Sequence, residues 1–180
     1  MRSHLCFALI LLIAATARAQ SDSIAVTGEV DHPGSFSVSD LKSQFASDLK
    51  TIQISRRGQQ HSADVVPLLS LLKAAGIKMD LKMGPSVPPT EKNYALRLVV
   101  IVTGRDGYAA AFALAELLPQ FGNHPVWLEL AEDGNALPDR DQPMDLVVPD
   151  DVKPGRWVHG IGTITILNAT TATTQPSNSK

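Results

Sequence analysis

Three loops of this 180-residue chain set cations beside glycine: Arg56-Arg57-Gly58, Gly104-Arg105-Asp106-Gly107 and Lys153-Pro154-Gly155-Arg156, with His159 three residues further on. A guanidinium grips phosphate or carboxylate through two parallel N–H bonds, and glycine lets the backbone approach a ligand closely. Two readings stand side by side: the loops converge on one anion, or each arginine pairs with a neighbouring surface acid. Other chemistry has weaker support. His32, His61, His124 and His159 show neither HxH nor HExxH spacing, so they read as surface or loop residues and no metal ligand is assigned. The run of Asp139, Asp141, Asp145, Asp150 and Asp151 lacks the alternating ligands, central glycine and closing Glu of a calcium loop and is expected to be solvated loop charge. No GxSxG motif marks a nucleophilic serine, and no catalytic residue is assigned. Asn168-Ala169-Thr170 is a glycosylation sequon only in a eukaryotic setting.

The elements that must hold these loops are short. Residues 96–102 form an apolar, β-branched run, the glycines at 104 and 107 break it, and residues 108–112 can return beside it, which predicts a hairpin followed by one helical turn over 113–118 before Pro119. Residues 51–55 and 61–66 flank the Arg56 loop and predict a second hairpin. Pro67 then opens a helix with Leu68, Leu69, Leu71 and Leu72 facing inward and Gly76 as its left-handed stop. Residues 24–30 alternate as a half-buried strand, and Ser39 is the expected cap of a short helix carrying Leu41 and Phe45 on one face. Strands are also expected over 126–131, with Trp127 and Glu129 on one face, and over 146–148 and 157–167. The proline-rich stretch 77–93 reads as a long loop, either a mobile lid or the rim of a site.

Residues 1–19 carry Arg2 and His4, an apolar run over 5–15 and an Ala-x-Ala ending, the pattern of a cleaved secretory signal peptide. The expected organisation is a signal peptide over 1–19, one domain over 20–167 and a disordered, Thr/Ser-rich tail over 168–180, with the protein secreted or periplasmic and no membrane span after cleavage. Cleavage removes Cys6, the only cysteine, and with it any disulfide, thiolate ligand or thiol nucleophile. It leaves 14 basic against 18 acidic side chains, a net charge of −4 that disfavours nucleic acid as a partner.

Pro67-Leu68-Leu69-Ser70-Leu71-Leu72-Lys73-Ala74-Ala75-Gly76, Asp106-Gly107-Tyr108 followed by Phe112-Ala113-Leu114-Ala115-Glu116-Leu117, Leu146-Val147-Val148-Pro149 and Arg156-Trp157-Val158 together resemble the molybdopterin-binding oxidoreductase domain of the sulfite oxidase fold, in its small secreted bacterial form. The resemblance implies an α+β fold, a mixed β-sheet domain with few short helices. In catalytic relatives it implies a pterin-dithiolene molybdenum centre held by a cysteine thiolate between the early strand and the Leu-rich helix. Here that segment, residues 51–66, has no cysteine. The reading is therefore a non-catalytic binding module for an anionic small molecule, a pterin or a protein partner, with ligand residues Arg56, Arg57, Arg105, Asp106, Tyr108, Arg156 and His159. The alternative is a molybdopterin-dependent oxidoreductase, or its subunit, whose molybdenum has a non-cysteine ligand.

Overall fold

The computed structural model describes residues 22–172; the expected signal peptide and residues 173–180 lie outside it. Among the described residues nine strands form two sheets. The five-stranded sheet has the order β2-β1-β9-β5-β6, from β1 (Ser23–Gly28), β2 (Gly34–Ser37), β5 (Leu98–Gly104), β6 (Ala109–Ala113) and β9 (Ile161–Asn168). The four-stranded sheet has the order β3-β4-β7-β8, from β3 (Lys50–Arg56), β4 (Gln59–Pro67), β7 (Trp127–Glu132) and β8 (Asp145–Val147). Only β1 and β9 run parallel. With the short helices α1 (Val38–Gln44), α2 (Leu68–Ala74), α3 (Leu114–Leu117) and α4 (Ala169–Ala172), the fold is α+β as expected.

Alternation explains the central sheet. In β5 Leu98, Val100 and Val102 are buried while Val99, Ile101 and Thr103 are only half-covered. These residues join Ile24, Val26, Ile164 and Ile166 in one core that also takes Val66, Leu128 and Leu146 from the other sheet and Leu68, Leu71 and Leu72 from α2. Burying each such side chain contributes about 1.5–3 kcal/mol. Gly76 ends α2 at φ 77, where an added Cβ would sit 2.8 Å from Asp31 Cβ.

Several boundaries differ from the sequence reading. The cap of α1 is Ser37: its Oγ accepts from Asp40 N while the Asp40 carboxylate accepts from Ser37 N at 2.8 Å and from the Ser37 hydroxyl at 2.7 Å, and the hydroxyl bond first, then the backbone one, lowers the Asp40 pKa. Ser39 only shares a 2.8 Å hydroxyl contact with Ser37. The last strand starts at Ile161, because residues 149–160 fold as a strap over the four-stranded sheet. The tail is ordered further than expected: Asn168 is buried in β9, and its side chain accepts from Thr170 N at 3.0 Å to start α4. The acidic run also departs from its reading as solvated charge, for Asp141 and Asp145 are buried. Of the 77–93 loop, Ile77 bridges to Val30, and Arg97 donates to the carbonyls of Pro89, Thr90 and Lys92, so one guanidinium holds the loop's far end.

Candidate functional site

The β3–β4 hairpin closes on the two residues Arg57 and Gly58, at φ 51 and 81, the positive pair of a tight hairpin turn. Strand β3 is thereby extended to Arg56, which lies on the same face as Ile52 and Ile54, away from the main core. On that face Ile54, Ala63, Val65 and Val147 make a second small cluster under Trp127 and Trp157. A bulge between β4 and β7 pairs Asp64 with Ala131 but Val65 with Glu129, and Glu129 stands opposite Asp145 of β8. Two carboxylates thus enter a buried sheet face beside Arg56.

Arg56 is the hub of this cluster. Its guanidinium bonds Glu129, reaches Glu132 Oε2 at 2.5 Å and Asp145 Oδ2 at 3.2 Å, and lies 5.7 Å from the Trp157 ring. Glu129 and Asp145 are fully or almost fully buried. Burial, with help from the nearby Asp145, Glu132 and Asp141 and against the pull of Arg56, holds the Glu129 carboxyl up at about 7. One Glu129 oxygen, Oε1, has no hydrogen-bond partner. Beyond Asp145 comes His159, whose Nδ1 lies 2.7 Å from Asp145 Oδ2 and 3.3 Å from Asp141 Oδ1; the Asp145 hydrogen bond raises the His159 pKa against the opposing effect of burial. Gly160 N donates to Asp145 Oδ1 at 2.8 Å, fixing that carboxylate from the strap side.

Above the cluster is a cleft of about 200 Å³ lined by Ser55, Arg56, Arg57, Arg140, Pro154, Trp157 and His159. The structure thus brings together Arg56, Arg57 and His159 from two of the three cationic loops. The rest of the predicted set stays outside the cleft. Asp106 Oδ1 accepts from Tyr108 N at 2.9 Å, Tyr108 OH donates to Gly155 O at 2.6 Å, and Arg105 N donates to Gly160 O at 2.9 Å, so the β5–β6 turn buttresses the strap from behind. Arg156 grips Asp151 through Nη2 at 2.6 Å and Nε at 2.8 Å, reaches Glu116 at 3.0 Å, and lies over the Phe112 ring at 4.9 Å. The hydrogen bond from Arg156 lowers the Asp151 pKa. Arg156 is therefore a strap fastener, and the competing surface-pairing reading holds for it.

Glu129, Asp145, Asp141 and Arg140 were not among the sequence candidates. The available signal was Glu129 on the same strand face as Trp127: an acid amid apolar strand residues is expensive to bury unless it is paired. The 77–93 loop contributes nothing to the cleft lining; its own hollow, of about 330 Å³, lies among Lys78, Asp80, Lys82, Thr90, Glu91 and Tyr94.

No family model matches the chain, and no curated protein matches it significantly. The class that fold and site define is a two-sheet α+β domain with a strap-covered charge cluster. Among solved structures this fold is similar to the crystal structure of the sulfane dehydrogenase SoxCD from Paracoccus pantotrophus, at 19% identity and a TM-score of 0.50, over 82% of this chain and 38% of that one. The chain thus spans well under half the length of that relative, and the likeness shows the fold alone.

The residues present do not fit a thiolate-held molybdenum–pterin group. The β3–β4 hairpin, which the resemblance makes the thiolate-bearing segment, offers Arg56 and Arg57 and no cysteine, and the nearest buried donors are carboxylates.

Proposed function

We propose that the chain is an exported binding module whose strap-covered cleft takes a small anionic molecule with a flat apolar part. The observation that supports this most is that Arg57 and Arg140 line the same cleft as the Trp157 indole. Arg56 is held by three carboxylates and serves as scaffold, so the cations left for a ligand are those of the rim. Arg57 is exposed and makes no ion pair with the described residues, while Arg140 pairs with Asp141 but is 64% exposed. Trp157 is oriented by its own Nε1–H bond to Val148 O at 3.0 Å and offers one ring face for stacking. At about 200 Å³ the cleft is below the roughly 300 Å³ where drug-sized pockets begin, which favours a single-ring carboxylate or a compact oxyanion over a whole pterin cofactor. The export pattern of residues 1–19 supports a secreted or periplasmic location. The oxidoreductase alternative draws on likeness of fold alone.

Calorimetry with phosphate, sulfate, benzoate and a pterin carboxylate tests the reading. Saturable binding of one of these is expected, weakened about tenfold or more by Arg57→Ala with the melting temperature unchanged, since an exposed charge-assisted bond of about 1.5–3 kcal/mol is made to ligand and not within the fold. No saturable binding across the panel, or an Arg57→Ala protein with unchanged affinity, would refute it.

A further inference from the structure

We propose that Asp141, Asp145 and His159 form a binding site for one divalent first-row cation, such as Zn²⁺ or Mn²⁺, at the inner edge of the cleft. His159 Nδ1 lies 2.7 Å from Asp145 Oδ2 and 3.3 Å from Asp141 Oδ1, and all three donor atoms fall within 4.8 Å of one another. Ligand bonds of about 2.0–2.2 Å set neighbouring donors roughly 2.8–3.6 Å apart, so the 3.3 Å edge already matches a shared cation and the 2.7 Å edge must open slightly. Ca²⁺ fits poorly because it asks for six to eight oxygens.

Two further observations point to a missing positive charge. Asp141 is 1% exposed, and its Oδ1 accepts no hydrogen bond although Arg140 Nε is 3.0 Å away; the Arg140 bond goes to Oδ2. Glu129 Oε1, buried in the same cluster, is likewise without a partner. Around this point the four carboxyl groups of Glu129, Glu132, Asp141 and Asp145 meet two guanidinium groups, Arg56 and Arg140, with His61 reaching Glu132 from the far side, which leaves an excess of acidic over basic side chains. A divalent cation cancels that excess. Of the three carboxylates on Arg56, Asp145 makes the longest contact, at 3.2 Å, and so is the one most readily shared. Access runs through the cleft, because the His159 side chain is 46% exposed and lines it.

The site does not depend on the anion reading, and phosphate-free buffer keeps the two tests apart. Untagged full-length protein, stripped with EDTA and titrated with ZnCl₂ and with MnCl₂ in separate calorimetric runs, should bind one ion per chain with at least one of them. CaCl₂ should give no saturable heat. Asp141→Asn and His159→Ala should each weaken binding by at least about tenfold. His159→Ala, altering a half-exposed side chain, guards against an Asp141→Asn protein that fails to fold. His61→Ala, in the group of His61, Glu132 and Asp133, which contains none of the three proposed ligands, should leave binding intact. Absence of saturable binding, or equal binding by wild type and His159→Ala, would overturn the site, as would loss on His61→Ala alone.

Discussion

Replacing Arg56 by alanine tests whether that side chain is scaffold or ligand grip. In the folded protein it meets Glu129, which is fully buried, Asp145, which is 1% exposed, and Glu132, which is 19% exposed. Removing the guanidinium strands three carboxylates around one buried point, and breaking a buried pair from one side costs about 3–5 kcal/mol. The variant can relieve part of this by taking up protons. With Arg56 present the Glu129 carboxyl already sits at about 7, chiefly through desolvation, and losing the cation raises it further. A carboxyl raised in the folded state contributes stability that is fully present below its unfolded value and is lost as pH rises through the folded one. The Arg56→Ala penalty should therefore be near 3–5 kcal/mol at pH 8.5 and fall toward pH 6, by up to about 1.4 kcal/mol per pH unit for each additional proton the variant holds. Glu129→Gln in the Arg56→Ala background should recover about 2 kcal/mol at pH 8.5 and much less at pH 5.5, the amide standing in for the protonated acid. Urea unfolding of the four proteins of this cycle, in EDTA and followed by tryptophan fluorescence, is the assay. A penalty below about 1 kcal/mol, or one flat across pH 6–8.5, would refute the buried-hub account.

Arg156→Ala should lower stability by about 1–2 kcal/mol at pH 7, because a two-bond pair with Asp151, the Glu116 contact and the Phe112 stacking are lost together from a third-exposed site. The depressed Asp151 carboxyl contributes stability above its ordinary value near 3.8 that disappears as pH falls through the folded value, so the gap to wild type should close in acid; thermal melts from pH 7 to 3 read this. Gly160→Ala should cost more than about 2 kcal/mol in the same assay, since Gly160 sits at φ 54 and its Cβ would lie 2.6 Å from the Arg140 carbonyl oxygen.

The strands and the Leu-rich helix could be read from the chain because each is a local signal. The alternating run at 98–104, Pro67 and Gly76 around α2, and the glycines of the β5–β6 turn each act within a few residues. The hairpin that presents Arg56 and Arg57 was legible for the same reason. The site was not, because its decisive pairs are remote in sequence: Arg56 meets Glu129 across 73 residues and Asp145 across 89. An aspartate in a polar stretch gives no local sign that it will be buried. Asp145 goes inside only because β8 pairs with β7 and the strap from 149 to 160 closes over both. The roles of the arginines were decided the same way. Composition made all of them equal candidates for an anion, and tertiary packing then spent Arg56 on buried carboxylates and Arg156 on the strap. It left Arg57 facing solvent at a two-residue turn. Sequence fixes where a charge lies along the chain, but whether that charge is free for a ligand depends on which distant acids the fold brings within about 4 Å.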